Sequence, residues 1–159
     1  MTRSNVRPAA DQVRALRDGL RRLVVEHGAL DEACRPCGAP LSLPHAHALL
    51  ELRAASGPLR VSALAQRLRI DRTNVSRLCA RLERLGELER TADPADGRAR
   101  ALALTPRGRA RAAEVDRASV AHVGRLAAAL GPDLPRVLDA LERLRAAMSE
   151  ARATREETA

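Results

Sequence analysis

Three groups of side chains in this chain have the types and spacing to do chemistry. The first lies in DRTNVSRLCAR, residues 71–81, where Arg72, Thr73, Asn74, Ser76, Arg77 and Arg81 crowd a short stretch. These are the side chains that read duplex edges: arginine pairs with guanine acceptors, asparagine with adenine, and the threonine methyl with thymine. The second is Arg98 and Arg100, just past the turn residues Asp93, Pro94, Ala95, Asp96 and Gly97. A narrow minor groove draws arginine through its enhanced negative potential. The third is Cys34-Arg35-Pro36-Cys37, followed by His45 and His47. Two thiolates at that spacing can chelate zinc or another thiophilic metal, with imidazole help, or close to a disulfide on oxidation. One C-x-x-C is only half a zinc site, however, and the two histidines are not at the i, i+4 spacing that shares a helix face. A metal or thiol sensor and an incidental thiol pair in a loop both stand, and no cofactor is required by the sequence. No nucleophile–base pair and no phosphate loop is found, so an enzyme is not expected.

Charge placement favours a polyanion partner. All 28 basic residues are arginine, against 20 acids, for a net charge of +8. Residues 59–111 hold 13 arginines and 6 acids, so nearly the whole surplus sits on one third of the chain. Basicity that segregates in this way is the electrostatic footprint of nucleic-acid binding. No apolar run approaches the ~18 residues of a membrane span, and the first residues lack the apolar core of a signal peptide. A cytoplasmic protein is expected, with the three cysteines free of structural disulfides.

These groups need elements to hold them. With 159 residues, 45% of them hydrophobic and none aromatic, one domain with a core of Leu, Val and Ala is expected, built from closely packed helices. Residues 8–27 carry Val13, Leu16, Leu20, Leu23 and His27 at 3-4-3-4 spacing, a seam that wants a partner helix. Gly28 can end it, and the Pro- and Gly-rich stretch 28–43 is a loop. Pro44 opens a second helix to Ala55, with Leu49, Leu50 and Leu52 as core candidates. After a short extended piece at 59–61, Ser62 is placed to cap a helix to Leu68, and Asp71 to cap the next, to Leu85. The apolar stripe of that last helix is Val75, Leu78 and Leu82, with Cys79 beside it as a small core residue.

Short strands at 88–92 and 100–104 follow, joined by the acidic turn. Thr105-Pro106 caps a long helix to about Leu130, broken by Gly131-Pro132. A final helix runs to Ala151, with Leu134, Val137, Leu141, Leu144 and Met148 at heptad spacing and residues 153–159 frayed. Helix, turn, helix, hairpin is the order of a winged helix-turn-helix. Taken alone, the helix after Asp71 is equally a solvated amphipathic helix. The arginine-bearing hairpin beside it tips the balance towards duplex binding, with the helix in the major groove and the hairpin in the minor. The fold expected is mainly α with a small β-wing: a winged module over 44–105, flanked by helical dimerisation regions at 8–30 and 106–151.

The motifs also carry a family resemblance. The exit L-x-x-L-G-E-L-E-R (Leu82 to Arg90), the turn D-P-x-D-G-R (Asp93 to Arg98) and L-T-P-x-G (Leu104 to Gly108) together resemble the MarR family of bacterial transcription regulators. The resemblance covers residues 44–111 closely and the flanking helices in order and length. It implies a homodimer whose terminal helices interlock, leaving two winged modules on one duplex. It implies a pseudo-palindromic operator, usually held by a repressor that a small molecule, metal or oxidant releases. It makes Arg98 the wing arginine, Asp96 the neighbour that orients the wing, and Arg72 to Arg77 the base-reading stretch.

Overall fold

The computed structural model describes residues 8–28, 41–93, 96 and 99–156. It falls into two compact units, Met1–Ser119 and Val120–Ala159. In the first, helix α1 (Ala10–Glu26) ends at Gly28, whose φ of 72° is the left-handed angle a helix terminator needs. Helix α2 (Leu43–Ala54) has proline in its first turn, as its sequence requires. It buries His45, Ala46, Ala48, Leu49 and Leu52, whereas Leu50 is only half-buried.

Helix α3 (Val61–Leu68) begins two residues before the expected start. Arg60 occupies the cap position without a side-chain cap, and Ser62 lies inside the first turn. The turn that follows is made by Arg69 at φ 55°, with Ile70 N donating to Ala65 O (3.3 Å). Helix α4 (Arg72–Arg84) is capped by Asp71, whose Oδ1 accepts from Asn74 N at 2.9 Å. Its inner stripe is Val75, Cys79 and Leu82, and Leu78 is half-buried. The helix phase decides this: positions 75, 79 and 82 face inward, so the thiol expected beside the stripe lies within it and Leu78 packs at the edge of the core.

A Schellman turn closes α4, with Gly86 N donating to Glu83 O (2.9 Å), Glu87 N to Leu82 O (3.0 Å), and Gly86 at φ 67°. Strands β1 (Leu88–Ala92) and β2 (Arg100–Leu104) pair antiparallel, from Leu88 opposite Leu104 to Ala92 opposite Arg100. Leu59 adds a single bridge on the far side of β2, exchanging two backbone hydrogen bonds with Leu102. Helix α5 (Pro106–Leu130) starts at Thr105, whose Oγ1 accepts from Gly108 N (3.0 Å) and donates to Gly86 O (2.6 Å). The first unit's core gathers Leu49, Leu64, Val75, Cys79, Leu82, Leu102, Ala112 and Val115, all aliphatic or thiol.

The second unit contains the rest of α5, a 3-10 turn at Gly131–Asp133 and helix α6 (Leu134–Glu156). The helix runs past the expected end at Ala151. Thr154 and Arg155 donate back to the carbonyls of Glu150 and Ala151, which keeps the last turn wound.

Candidate nucleic-acid interface

The inner stripe of α4 fixes what its other side can present. With Val75, Cys79 and Leu82 fully buried, Arg72, Thr73, Asn74, Ser76, Arg77 and Arg81 are all exposed. They are not equally available. Asn74 donates its side-chain amide to the Asp71 carboxylate, and Ser76 Oγ donates to Arg72 O (2.8 Å). Both polar groups are thus partly spent on the helix itself. Among the described residues, the guanidinium groups of Arg72, Arg77 and Arg81 make no hydrogen bond or ion pair. The contrast is with Arg67, tied to Glu51 (3.4 Å), and Arg90, tied to Glu83 (2.7 Å). The cap is electrostatically sound too: the backbone N–H of Asn74 holds the Asp71 carboxyl below the usual carboxylate range. It stays charged at the positive end of the helix.

The wing leaves the core through a tight junction. A Cβ placed on Gly108 would lie 1.8 Å from Glu87 O, so only glycine lets the first turn of α5 approach the exit of α4. Thr105 N donates to the same carbonyl at 3.1 Å. These contacts explain L-T-P-x-G physically: threonine caps, proline starts the helix and glycine admits Glu87. Arg100 is exposed at the start of β2. Asp96, placed beside the wing turn, pairs with Arg60 at 3.7 Å, and Arg60 also bonds Asp93. Arg60 carries no sequence motif, so only the folded chain brings it to the wing. Arg98 lies outside the described residues.

Cys34 and Cys37 also lie outside the described residues. Of the histidines grouped with them, His47 is exposed on α2, whereas His45 is 1% exposed and its Nε2 sits 2.6 Å from Glu87 Oε2. His45 Nδ1 has no partner among the described residues. One imidazole is committed to the core and the other faces away from it, so the two do not form one ligand set. No group of three His, Cys, Asp or Glu among the described residues is placed to hold a metal. Cys79 is buried, and burial pushes its thiol pKa up, which suppresses the reactive thiolate. No helix among the described residues is long and apolar enough to cross a membrane.

The chain's similarities agree with this geometry. The MarR family pattern matches residues 39–99, from the entry of α2 to the wing. No curated protein sequence matches the chain. Among solved structures, the transcriptional repressor CouR, bound to a 23-mer DNA duplex, is 31% identical with a TM-score of 0.66. That similarity covers 92% of this chain and 99% of CouR. A probable transcriptional regulator from Pseudomonas aeruginosa is 27% identical with a TM-score of 0.60, covering 82% of this chain and 93% of that one. BpsR of Bordetella bronchiseptica, solved to explain regulation of its DNA binding by 6-hydroxynicotinic acid, is 23% identical with a TM-score of 0.65. It matches in fold, over 83% of this chain and 98% of its own. With the winged module, the glycine-dependent junction and a relative of this identity aligned over its whole length, the chain belongs to the MarR family of DNA-binding transcriptional regulators.

Proposed function

We propose that this regulator is a homodimeric repressor that reads a pseudo-palindromic operator through Arg72, Thr73, Arg77 and Arg81 of α4, with Asn74 and Ser76 in support. The wing residues Arg98 and Arg100 would lie in the flanking minor groove. The observation that carries the reading is the exposed, uncommitted arginine face of α4, on a chain whose other arginines are repeatedly paired with acids. A guanidinium that enters the groove without first breaking an internal ion pair keeps its full binding energy. Dimerisation is supported by α1, where Val13, Leu16 and Leu23 are more than half exposed, and by Leu138, Leu141 and Met148 on α6. Apolar stripes of that length do not stay in water on a soluble protein. A two-fold dimer also supplies the two heads that a palindrome requires.

A small-molecule signal has a candidate site beside the winged module. A cleft of about 730 Å³ lies beside α2, α4 and α5, lined among others by His45, Arg81, Glu87, Arg107 and Arg111. The test is a gel shift on a duplex selected from a random pool by the wild-type protein. Arg72→Ala with Arg77→Ala weakens binding at least about tenfold, as the loss of base-reading contacts requires, and the salt slope falls with it. Unchanged affinity and slope would remove α4 from the interface.

A further inference from the structure

The hairpin from residue 93 to 100 contains two acids, Asp93 and Asp96, and two arginines, Arg98 and Arg100. By itself it is electrically neutral, so it exerts no net pull on phosphate. Worse for binding, each carboxylate is a ready partner for an arginine only two or more residues away, and an arginine held in an internal pair is withdrawn from a groove. The chain brings a third cation to this spot from elsewhere. Arg60, at the entry of α3, bonds Asp93 through Nε and lies 3.7 Å from Asp96 through a terminal nitrogen. Asp93 is nearly buried, whereas Arg60 and Asp96 are each about half exposed, at 49% and 51%.

The backbone places Arg60 there. Leu59 exchanges hydrogen bonds of 3.0 and 2.7 Å with Leu102, so the residue after it lies against the edge of β2. The two aspartates are set by the turn itself: Asp96 N donates to Asp93 O (3.2 Å), Ala99 N to Asp96 O (2.8 Å) and Asp93 N to Ala99 O (3.0 Å). One guanidinium therefore faces two carboxylates held by main-chain bonds, and a fork of donors suits that arrangement better than a single ammonium. The Asp93 hydrogen bond, then its charge, holds the Arg60 guanidinium's pKa above its ordinary value. The same residue also ties the wing to the first helix of the helix-turn-helix, which fixes the angle between wing and reading helix.

We propose that Arg60 is a positioning residue for DNA binding: by holding Asp93 and Asp96 it sets the pose of the wing that carries the wing arginines. This rests on the reading that the wing enters the groove through Arg98. Arg60 acts through the wing and makes no base contact of its own, so its effect vanishes when the wing arginine is gone.

The test is a double-mutant cycle on the selected duplex with Arg60→Ala, Arg98→Ala and both together, read as Kd and as cleavage protection of the outer flanks. Each single change raises Kd by about fivefold to twentyfold and exposes the flanks while the centre stays protected. The double variant is no worse than the weaker single, because the two residues belong to one device. Thermal melting of Arg60→Ala checks that the fold survives, and Arg60→Gln, shorter and uncharged but still polar, replaces it if it does not. If the two effects multiply, Arg60 acts on phosphate directly and the proposal is wrong. It is equally wrong if Arg60→Ala changes nothing while Arg98→Ala weakens binding. If Arg98→Ala changes nothing, the wing does not enter the groove, and both that reading and this proposal fall.

Discussion

Helices α1 and α4 have almost the same sequence grammar and opposite fates. Each has apolar residues every three or four positions and arginine on the remaining faces. On α4 the stripe of Val75, Cys79 and Leu82 is sealed against α2, α3 and the hairpin. On α1 no residue is buried, and Leu16 and Leu23 stand 55% and 60% exposed. Periodicity shows that a helix has a face to hide, while the partner that hides it can be the same chain or a second copy. The difference also separates two jobs. A sealed stripe gives a rigid element, which would hold arginines at fixed positions for the proposed base reading; an open stripe offers the surface that the proposed dimer would need.

The most damaging way to break the sealed region is at its junction. Gly108→Ala puts a Cβ into the Glu87 carbonyl, and no flexible side chain is there to yield. The expected loss is at or beyond the upper end of the roughly 1–3 kcal/mol typical of overpacked sites, read by urea denaturation, and a variant as stable as the parent would show that the junction opens easily. Next in size is a matched pair of truncations. Leu82→Ala, in the sealed stripe, costs about 2–5 kcal/mol, and the loss persists at every protein concentration. Leu16→Ala, in the open stripe, should lower the melting temperature only where the dimer is populated, so its effect changes with concentration. Equal, concentration-independent losses would erase the distinction between the two helices.

The smallest effect concerns the cap of α4. Asp71 has a lowered pKa in the folded chain, so the unfolded state binds its proton more readily. Its contribution is present above the ordinary carboxylate pKa and is lost as pH falls through the lower folded value. Asp71→Asn should therefore flatten the acid side of the stability curve slightly and leave neutral pH little changed, since asparagine also caps. An unaltered acid limb in pH-dependent denaturation would mean the cap carries no such linkage.

Much of this was legible before folding. Both strands, the Asp71 cap, the Gly28 and Gly86 terminators and the Thr105 start are local signals, because caps and turns depend on backbone groups within a few residues. The exposed arginine face of α4 was legible for the same reason, since helix phase places those side chains once the stripe is known. Three features were not. Ser62 has cap chemistry but falls two residues past the cap position, because the bridge between Leu59 and Leu102 sets where α3 begins. Leu78 packs only at the edge of the core, because the line from Val75 to Leu82 runs closer to position 79. His45 looked like a metal ligand beside Cys34 and Cys37, and its engagement by Glu87 depends on a residue 42 positions away.

The amino-acid order alone therefore determined the winged architecture, the arginine surplus that points to a polyanion and the residues of α4 that face outward. Each follows from spacing, propensity or net charge, which are properties of neighbouring residues. Tertiary structure alone decided the contacts between distant segments: His45 on Glu87, Gly108 against the Glu87 carbonyl, and Arg60 on the two wing aspartates. Such pairings are made by packing and by the loss of water around buried groups, and no window of sequence contains both partners.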